Sequence, residues 1–242
     1  MIKKLCEGTD INCGFPPFMS VINTDFSFPQ SVSDGVYFQV IDGERTLLFS
    51  LRGVTATICV SSENADITEL TSFLEFQGIK NILSDSFFDG VNLEERAVLT
   101  AVPEKYDVCN LIALSPLSRA CDYQKIFELL SRNGSFETWF PLFSAKVNNN
   151  FAFGVYTEEN SVPVSCAVAP FVSGKSGVIA GVFTSEEYRN RGNATKCIKA
   201  LLNELKKNCV EEVYLWCEEK NIKLYENIGF SRCGKIYVKK EE

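Results

Sequence analysis

Apolar and polar positions along the chain switch between a period of two and a period of 3.6, and the switch points mark the elements. The clearest helix has Ala194, Cys197, Ile198, Leu201, Leu202 and Leu205 on one stripe, with Thr195, Lys196, Lys199, Asn203, Lys206 and Lys207 on the other face. That is amphipathic periodicity over three turns. Before it, Phe151 to Tyr156 and Val162 to Val168 alternate around Glu158-Glu159-Asn160 and predict a hairpin, and Gly177 to Thr184 predicts a third strand. After it come a strand at Val213 to Trp216, a short helix from Asn221 to Ile228 stopped by Gly229, and a strand at Ile236 to Val238. Upstream, Val108 to Leu114 is strand-like, and Tyr123 to Leu130 and Phe136 to Val147 predict two helices, broken at Asn148-Asn149-Asn150.

The first half carries its own set. Tyr37 to Ile41 and Thr46 to Leu51 flank Asp42-Gly43, a hairpin signal. Val54 to Val60 is a third β-rich run. Asp66 is placed to cap a helix through Leu70, Phe73, Leu74 and Gln77 that ends at Gly78, and Ile79 to Leu83 follows as a strand. Residues 1–34, with Phe15-Pro16-Pro17-Phe18 and Phe28-Pro29, read as irregular, extended packing rather than helix. This mixed order predicts an α/β layer fold with a mixed sheet.

Charge separates the halves. Residues 1–106 hold 7 Lys/Arg against 15 Asp/Glu, whereas residues 107–242 hold 17 against 16. Two domains, 1–106 and 107–242, are expected. The acidic half would repel nucleic acid and anionic membrane and would attract an amine or a cationic peptide. The ten cysteines include no Cys-x-x-Cys pair, and several sit in apolar runs, as Cys59 and Cys197 do. They read as reduced small hydrophobes. The chain has no histidine, which excludes histidine triads and argues against a metal site. No apolar run approaches the ~20 residues that cross a bilayer. The N-terminal Met-Ile-Lys-Lys-Leu has no apolar core behind its lysines, so the cytoplasm is the expected compartment.

The candidate chemistry lies in Val182-Phe183-Thr184-Ser185-Glu186-Glu187-Tyr188-Arg189-Asn190-Arg191-Gly192-Asn193-Ala194. A strand ends, a short loop follows and the strong helix begins. The first four N–H groups of a helix lack intrahelical partners, and with the helix dipole they form an anion site. Gly192 permits close backbone approach, Ala194 leaves room, and Arg189 and Arg191 add positive charge. An ordinary strand-to-helix turn with two solvated arginines would read the same way. The turn is neither a Walker loop nor a Gly-x-Gly-x-x-Gly fingerprint.

The segment resembles motif A of the GNAT N-acetyltransferase superfamily, Arg/Gln-x-x-Gly-x-Gly/Ala, with Arg189, Gly192 and Ala194 in register. Downstream, Lys223-Leu224-Tyr225-Glu226-Asn227-Ile228-Gly229-Phe230 is similar to the family's Leu-Tyr-Glu-x-x-Gly-Phe motif B. The resemblance covers roughly residues 107–242 and is far weaker over 1–106. It implies a GNAT-like fold whose fourth and fifth strands splay apart, with the pantetheine arm of acetyl-CoA paired to the strand Val182-Phe183-Thr184 through the backbone of Val182 and Thr184. It further implies that the N–H groups of Arg189, Asn190, Arg191, Gly192, Asn193 and Ala194 hold the pyrophosphate. An amine would attack the thioester directly, and Tyr225 would protonate the departing thiolate. A phenol of pKa about 10 can protonate a thiolate of pKa about 8.5. Tyr225 as an aromatic core residue is the plain alternative. Glu218, Glu158 and Glu159 are candidates for the base, although Glu218 stands where many family members have Asn.

The expected function is therefore transfer of an acetyl group from acetyl-CoA to a small amine or a peptide N-terminus, without metal, by a monomer or homodimer. The alternative is a catalytically inactive acyl-CoA sensor or scaffold. The order of elements in the first half matches the middle of a GNAT unit, but Ser61-Ser62-Glu63-Asn64-Ala65-Asp66 has neither arginine nor glycine. This half reads as a degenerate copy that would not bind CoA.

Overall fold

The computed structural model describes residues 1–6, 11, 14–29, 34–130 and 134–239. The chain forms two compact units. One comprises Met1–Val98 with Trp216–Lys220 and Arg232–Glu242; the other comprises Leu99–Leu215 with Asn221–Ser231. Both are α/β, with parallel and antiparallel strand pairs, as the mixed order of elements implies.

In the first unit, β1 (Ile2–Lys4), β2 (Gly35–Ile41), β3 (Glu44–Arg52) and β4 (Thr55–Val60) pair antiparallel in sequence order. Asp42 and Gly43 both take positive φ (51° and 84°), the geometry a two-residue hairpin needs. Helix α2 (Ile67–Phe76) then carries the chain across to β5 (Asn81–Ser84), which lies parallel to β4. Leu47, Phe49, Leu51 and Ile58 of the sheet bury against Leu70 and Leu74 of α2. The last strand, β14 (Ser231–Lys239), pairs antiparallel with β5. β6 (Leu93–Ala101), an element the sequence pattern did not reveal, begins in this unit.

The expectation of an irregular N-terminal stretch fails at α1 (Pro16–Ser27). Pro16 and Pro17 occupy the first helical positions, where a missing N–H costs nothing. Phe18, Val21 and Ile22 then bury completely, with Phe18 edge-on to Phe15 (5.0 Å) and Trp216 (6.0 Å). Tertiary burial of this face outweighs the weak local signal.

The second unit repeats the order of the first. β8 (Phe153–Glu159) and β9 (Val162–Ala169) form a hairpin, edged by the two-residue β7 (Ile112–Ala113). Two short strands follow, β10 (Phe171–Ser173) and β11 (Ser176–Val178), and then β12 (Gly181–Thr184). Helix α5 (Asn193–Lys207) crosses over to β13 (Glu212–Cys217), which is parallel to β11. Cys166 and Val168 of β9 pack under α3 (Ala120–Leu129) and α4 (Phe136–Asn148), whereas Cys197 of α5 meets Ser165. Because side chains alternate along a strand, α3 and α4 cover one face of the sheet and α5 the other. Helix α6 (Ile222–Glu226) is shorter than its sequence pattern suggested: it stops two residues before Ile228, with Asn227 as its C-cap, and Asn221 belongs to the 3-10 turn Glu219–Asn221 ahead of it.

The two units differ where the crossover strands meet. In the first, β4 and β5 pair over Thr55–Ile58 and Asn81–Ser84, and Asp85 continues the closure. Its N–H donates to the Ile58 carbonyl (3.2 Å), and its carboxylate accepts from the Val60 N–H (2.9 Å). Burial raises the Asp85 carboxyl above the usual carboxylate range. A carboxyl whose folded pKa lies above its unfolded value favours folding at low pH, and that contribution is lost as pH rises through the raised value. Asp85→Ala is therefore expected to cost about 1–3 kcal/mol in urea unfolding, because the Val60 N–H loses its acceptor. Asp85→Asn should recover most of this loss and should gain on the wild type as pH rises above the ordinary aspartate value of about 4. A flat pH dependence of that difference would contradict the assignment.

Candidate active site

In the second unit the crossover strand bends. β11 pairs with β13 up to Val178↔Tyr214, and the Ile179 N–H donates to the Tyr214 carbonyl (2.8 Å). One residue later the Ala180 N–H donates to Val168 (3.2 Å), and β12 runs antiparallel to β9. The run expected as one strand, Gly177 to Thr184, is thus two strands in different sheets. β12 lies at the edge of its sheet. The Phe183 carbonyl accepts from Ser165 Oγ (2.9 Å) and the Ser185 N–H donates to Val164 (3.0 Å), so the backbone at 183 and 185 faces β9. Alternation turns the backbone groups of Val182 and Thr184 to the unpaired edge.

The loop after β12 makes a 3-10 turn at Glu186–Tyr188 and then two left-handed residues, Asn190 (φ 60°) and Gly192 (φ 77°). Gly192 is the N-cap of α5, and no side chain caps the helix. By contrast, α2 is capped by Asp66, which accepts from the Glu69 N–H (2.9 Å), and α4 by Ser135. The amides opening α5 are therefore left for another acceptor. A Cβ built on Gly192 would meet no atom within 4 Å, so the backbone there faces open space.

A cavity of about 440 Å³ opens over this turn. Val182, Phe183 and Thr184 form one wall, Tyr188 to Asn190 and Gly192 to Thr195 the end, and Asn221, Leu224 and Tyr225 the opposite wall. Ten residues were expected at this site besides Glu218, and all but Arg191 line the cavity. Its guanidinium lies over the Tyr188 ring (5.2 Å) and pairs with Glu159 (3.7 Å). Arg189 donates from Nε to the Thr184 carbonyl (3.2 Å) and pairs with Glu186 (3.2 Å), which ties the turn to the end of β12. Tyr225 is half-buried and edge-on to Phe230 (5.9 Å). Sequence reasoning missed Tyr188, Thr195, Asn221 and Leu224. Thr195 was legible as the next residue of the first helical turn, and Asn221 as the residue four before Tyr225; Leu224, adjacent to Tyr225 in sequence, carried no such signal.

The three carboxylates considered as bases lie outside the cavity lining. Glu218 belongs to the first unit, where its bond to Lys220 and its pair with Arg96 (3.5 Å) hold it below the usual carboxylate range. Glu158 pairs with Lys125, and Glu159 with Arg191. Among the described residues, no group of side chains could hold a metal ion, and no helix is long and apolar enough to cross a membrane. Among the nine described cysteines no disulfide forms; Cys13 lies outside the described residues.

Residues 119–230 match the acetyltransferase (GNAT) family. The fold extends the likeness along the chain. A GNAT-family protein from Novosphingobium aromaticivorans superposes with a TM-score of 0.60 at 17% identity, covering 95% of this chain and 97% of that one. A GCN5-related N-acetyltransferase from Kribbella flavida gives 0.61 at 12% identity, covering 93% and 95%. A tandem GNAT protein from the clavulanic acid biosynthesis pathway gives 0.58 at 10%, covering 98% and 97%. No curated protein matches the chain. The fold is that of the GNAT acyltransferases, and over residues 119–230 the chain carries a GNAT acetyltransferase domain.

One thiol near the cavity invites a covalent mechanism. Cys197 stands early in α5, where helix amides and Lys196 favour a thiolate. Burial wins: the side chain is fully enclosed and its pKa is pushed up to about 11. At about pH 8, iodoacetamide should label the exposed Cys6, Cys109, Cys121, Cys209 and Cys233 of the native protein and spare Cys197, as mapped by mass spectrometry. Equal labelling of Cys197 would contradict its enclosure.

Proposed function

We propose that the protein transfers an acetyl group from acetyl-CoA to a primary amine. The observation that carries this reading is the uncapped start of α5, facing a cavity whose other wall is an unpaired strand edge. The residues fit the cosubstrate. The amides from Gly192 to Thr195 converge with the positive end of the helix dipole on a space suited to a diphosphate. The edge-facing backbone groups of Val182 and the N–H of Thr184, whose carbonyl already accepts from Arg189 Nε, offer an amide-bearing arm the pairing a neighbouring strand would give. Acetyl-CoA, when bound, supplies an activated thioester.

The chain's own groups then position and protonate. β12 and α6 hold the reacting atoms between Val182–Thr184 and Tyr225. The amine nitrogen bonds to the carbonyl carbon, the carbon–sulfur bond breaks, and Tyr225 gives its hydroxyl proton to the sulfur. The proton lost by the amine balances the one Tyr225 gives. Glu218 is our candidate to accept it through water, and its pairing with Lys220 makes it a weak base. The enclosed Cys197 is unsuited to carry an acyl group, which favours direct attack over a covalent intermediate.

We assign catalysis to residues 107–242 and read 1–106 as a copy that binds no CoA. There the helix start is already satisfied: Gln39 Oε1 accepts from the Asp66 N–H (2.9 Å), Gln39 Nε2 donates to Glu69 (2.8 Å), and Asp66 caps Glu69. The acceptor is a small amine or a peptide N-terminus, and the protein works as a monomer or homodimer in the cytoplasm.

Tyr225→Phe should slow turnover about 10²–10⁴-fold while acetyl-CoA affinity changes less than about two-fold. A comparable loss of affinity would make Tyr225 a packing residue instead. Arg189→Glu should weaken acetyl-CoA binding at least about ten-fold in calorimetry, since it sets a carboxylate beside phosphates and frees the Thr184 carbonyl. Unchanged affinity would refute the assignment of the turn.

A further inference from the structure

Resting on the proposed use of acetyl-CoA, we infer that the Asn193 side chain is a positioning group for the diphosphate turn, acting on the cosubstrate through the backbone of residues 188–195. Its Nδ2 donates to the Tyr188 carbonyl (3.3 Å). That bond runs from the first residue of α5 back to the last residue of the 3-10 turn, and so closes the loop between them. Its direction follows from helix geometry, since a helical Cα–Cβ bond tilts toward the N-terminus.

The loop needs such a tie. Asn190 and Gly192 both hold positive φ, and Asn190 bears a side chain there, a conformation that persists only when the surroundings enforce it. Among the described residues, the backbone amides from Asn190 to Thr195 donate to no protein acceptor, so no ladder of bonds fixes their directions. A diphosphate gains most from amides that already converge, because ordering a loose loop on binding subtracts from affinity. The other ties across this segment are weaker. Arg189 reaches Thr184 and Glu186, and Arg191 reaches Glu159, but both arginines are more than half exposed, where water and salt screen their charges. Asn193 is 7% exposed. Among the described residues, no other donor reaches the Tyr188 carbonyl, so removing the carboxamide leaves that acceptor unpaired beneath the turn.

The test uses the full chain and two ligands titrated by NMR. One is acetyl-CoA; the other is S-acetyl-pantetheine, which keeps the thioester and the amide-bearing arm but has no diphosphate. Asn193→Ala should weaken acetyl-CoA about ten-fold and S-acetyl-pantetheine less than about two-fold. Asn193→Ser, which offers a hydroxyl too short to reach Tyr188, should do the same and covers an Asn193→Ala protein that fails to fold. In either variant, saturating acetyl-CoA should still shift the amides of Val182 and Thr184 as in the wild type, while the shifts from Gly192 to Thr195 shrink. That pattern decides the matter alone if S-acetyl-pantetheine is too weak to titrate. Equal weakening of both ligands, or equal loss of shifts at strand and turn, makes Asn193 a packing residue and overturns the inference. Unchanged acetyl-CoA affinity also overturns it. These outcomes leave acetyl transfer standing. If the wild type binds acetyl-CoA no more tightly than S-acetyl-pantetheine, or not at all, the diphosphate assignment itself fails and the inference with it.

Discussion

A helix that opens without a capping side chain leaves several amides unpaired, and α5 opens in this way. Unpaired amides are costly when buried and tolerable when they face solvent or a ligand. Here they face a cavity, and the chain has arranged the surroundings to keep it open. Gly192 takes the left-handed conformation that turns the backbone into the helix, and nothing fills the space its missing side chain leaves. The bend at Ile179 and Ala180 moves the strand from β13 to β9, which leaves the facing edge of β12 without a partner. Cavity and bend are one feature: without the change of pairing, a parallel strand would close the gap.

The first unit shows the closed version of the same topology. Its hairpin, third strand, crossover helix and parallel strand follow the same order, yet β4 and β5 stay paired and Asp85 seals the ladder beyond them. Its helix start is occupied by Asp66, Gln39 and Glu69, with the last two groups also engaging the backbone of Ile2 and Asp66. Acidic groups at that position complete the helix internally and would repel a phosphate. The charge imbalance between residues 1–106 and 107–242 thus has a local meaning in at least one place.

Much of the second unit was legible because its signals are local. The stripe from Ala194 to Leu205 fixes α5, and glycine at 192 marks its start. Helix α1 was not legible: its two opening prolines and the Phe15 and Phe28 that flank it resemble a loop until the buried partners of Phe18, Val21 and Ile22 are known. β6 was hidden because Glu94, Glu95 and Arg96 interrupt its apolar alternation. The bend within Gly177 to Thr184 could not be read, since each half is a plausible strand and only long-range pairing separates them. The ion pair of Glu218 with Arg96, far away in sequence, was likewise beyond any local pattern; it adds to the Lys220 bond that chiefly holds Glu218 below the usual carboxylate range.

The most direct measurement is an amide-resolved NMR titration of the full chain with acetyl-CoA. The account predicts large shifts at Asn190 and Gly192 to Thr195 and at Val182 and Thr184, with those at the α2 start, Asp66 to Glu69, unmoved. Saturable binding that leaves the amides at the head of α5 unchanged, or that shifts the α2 start instead, would contradict it.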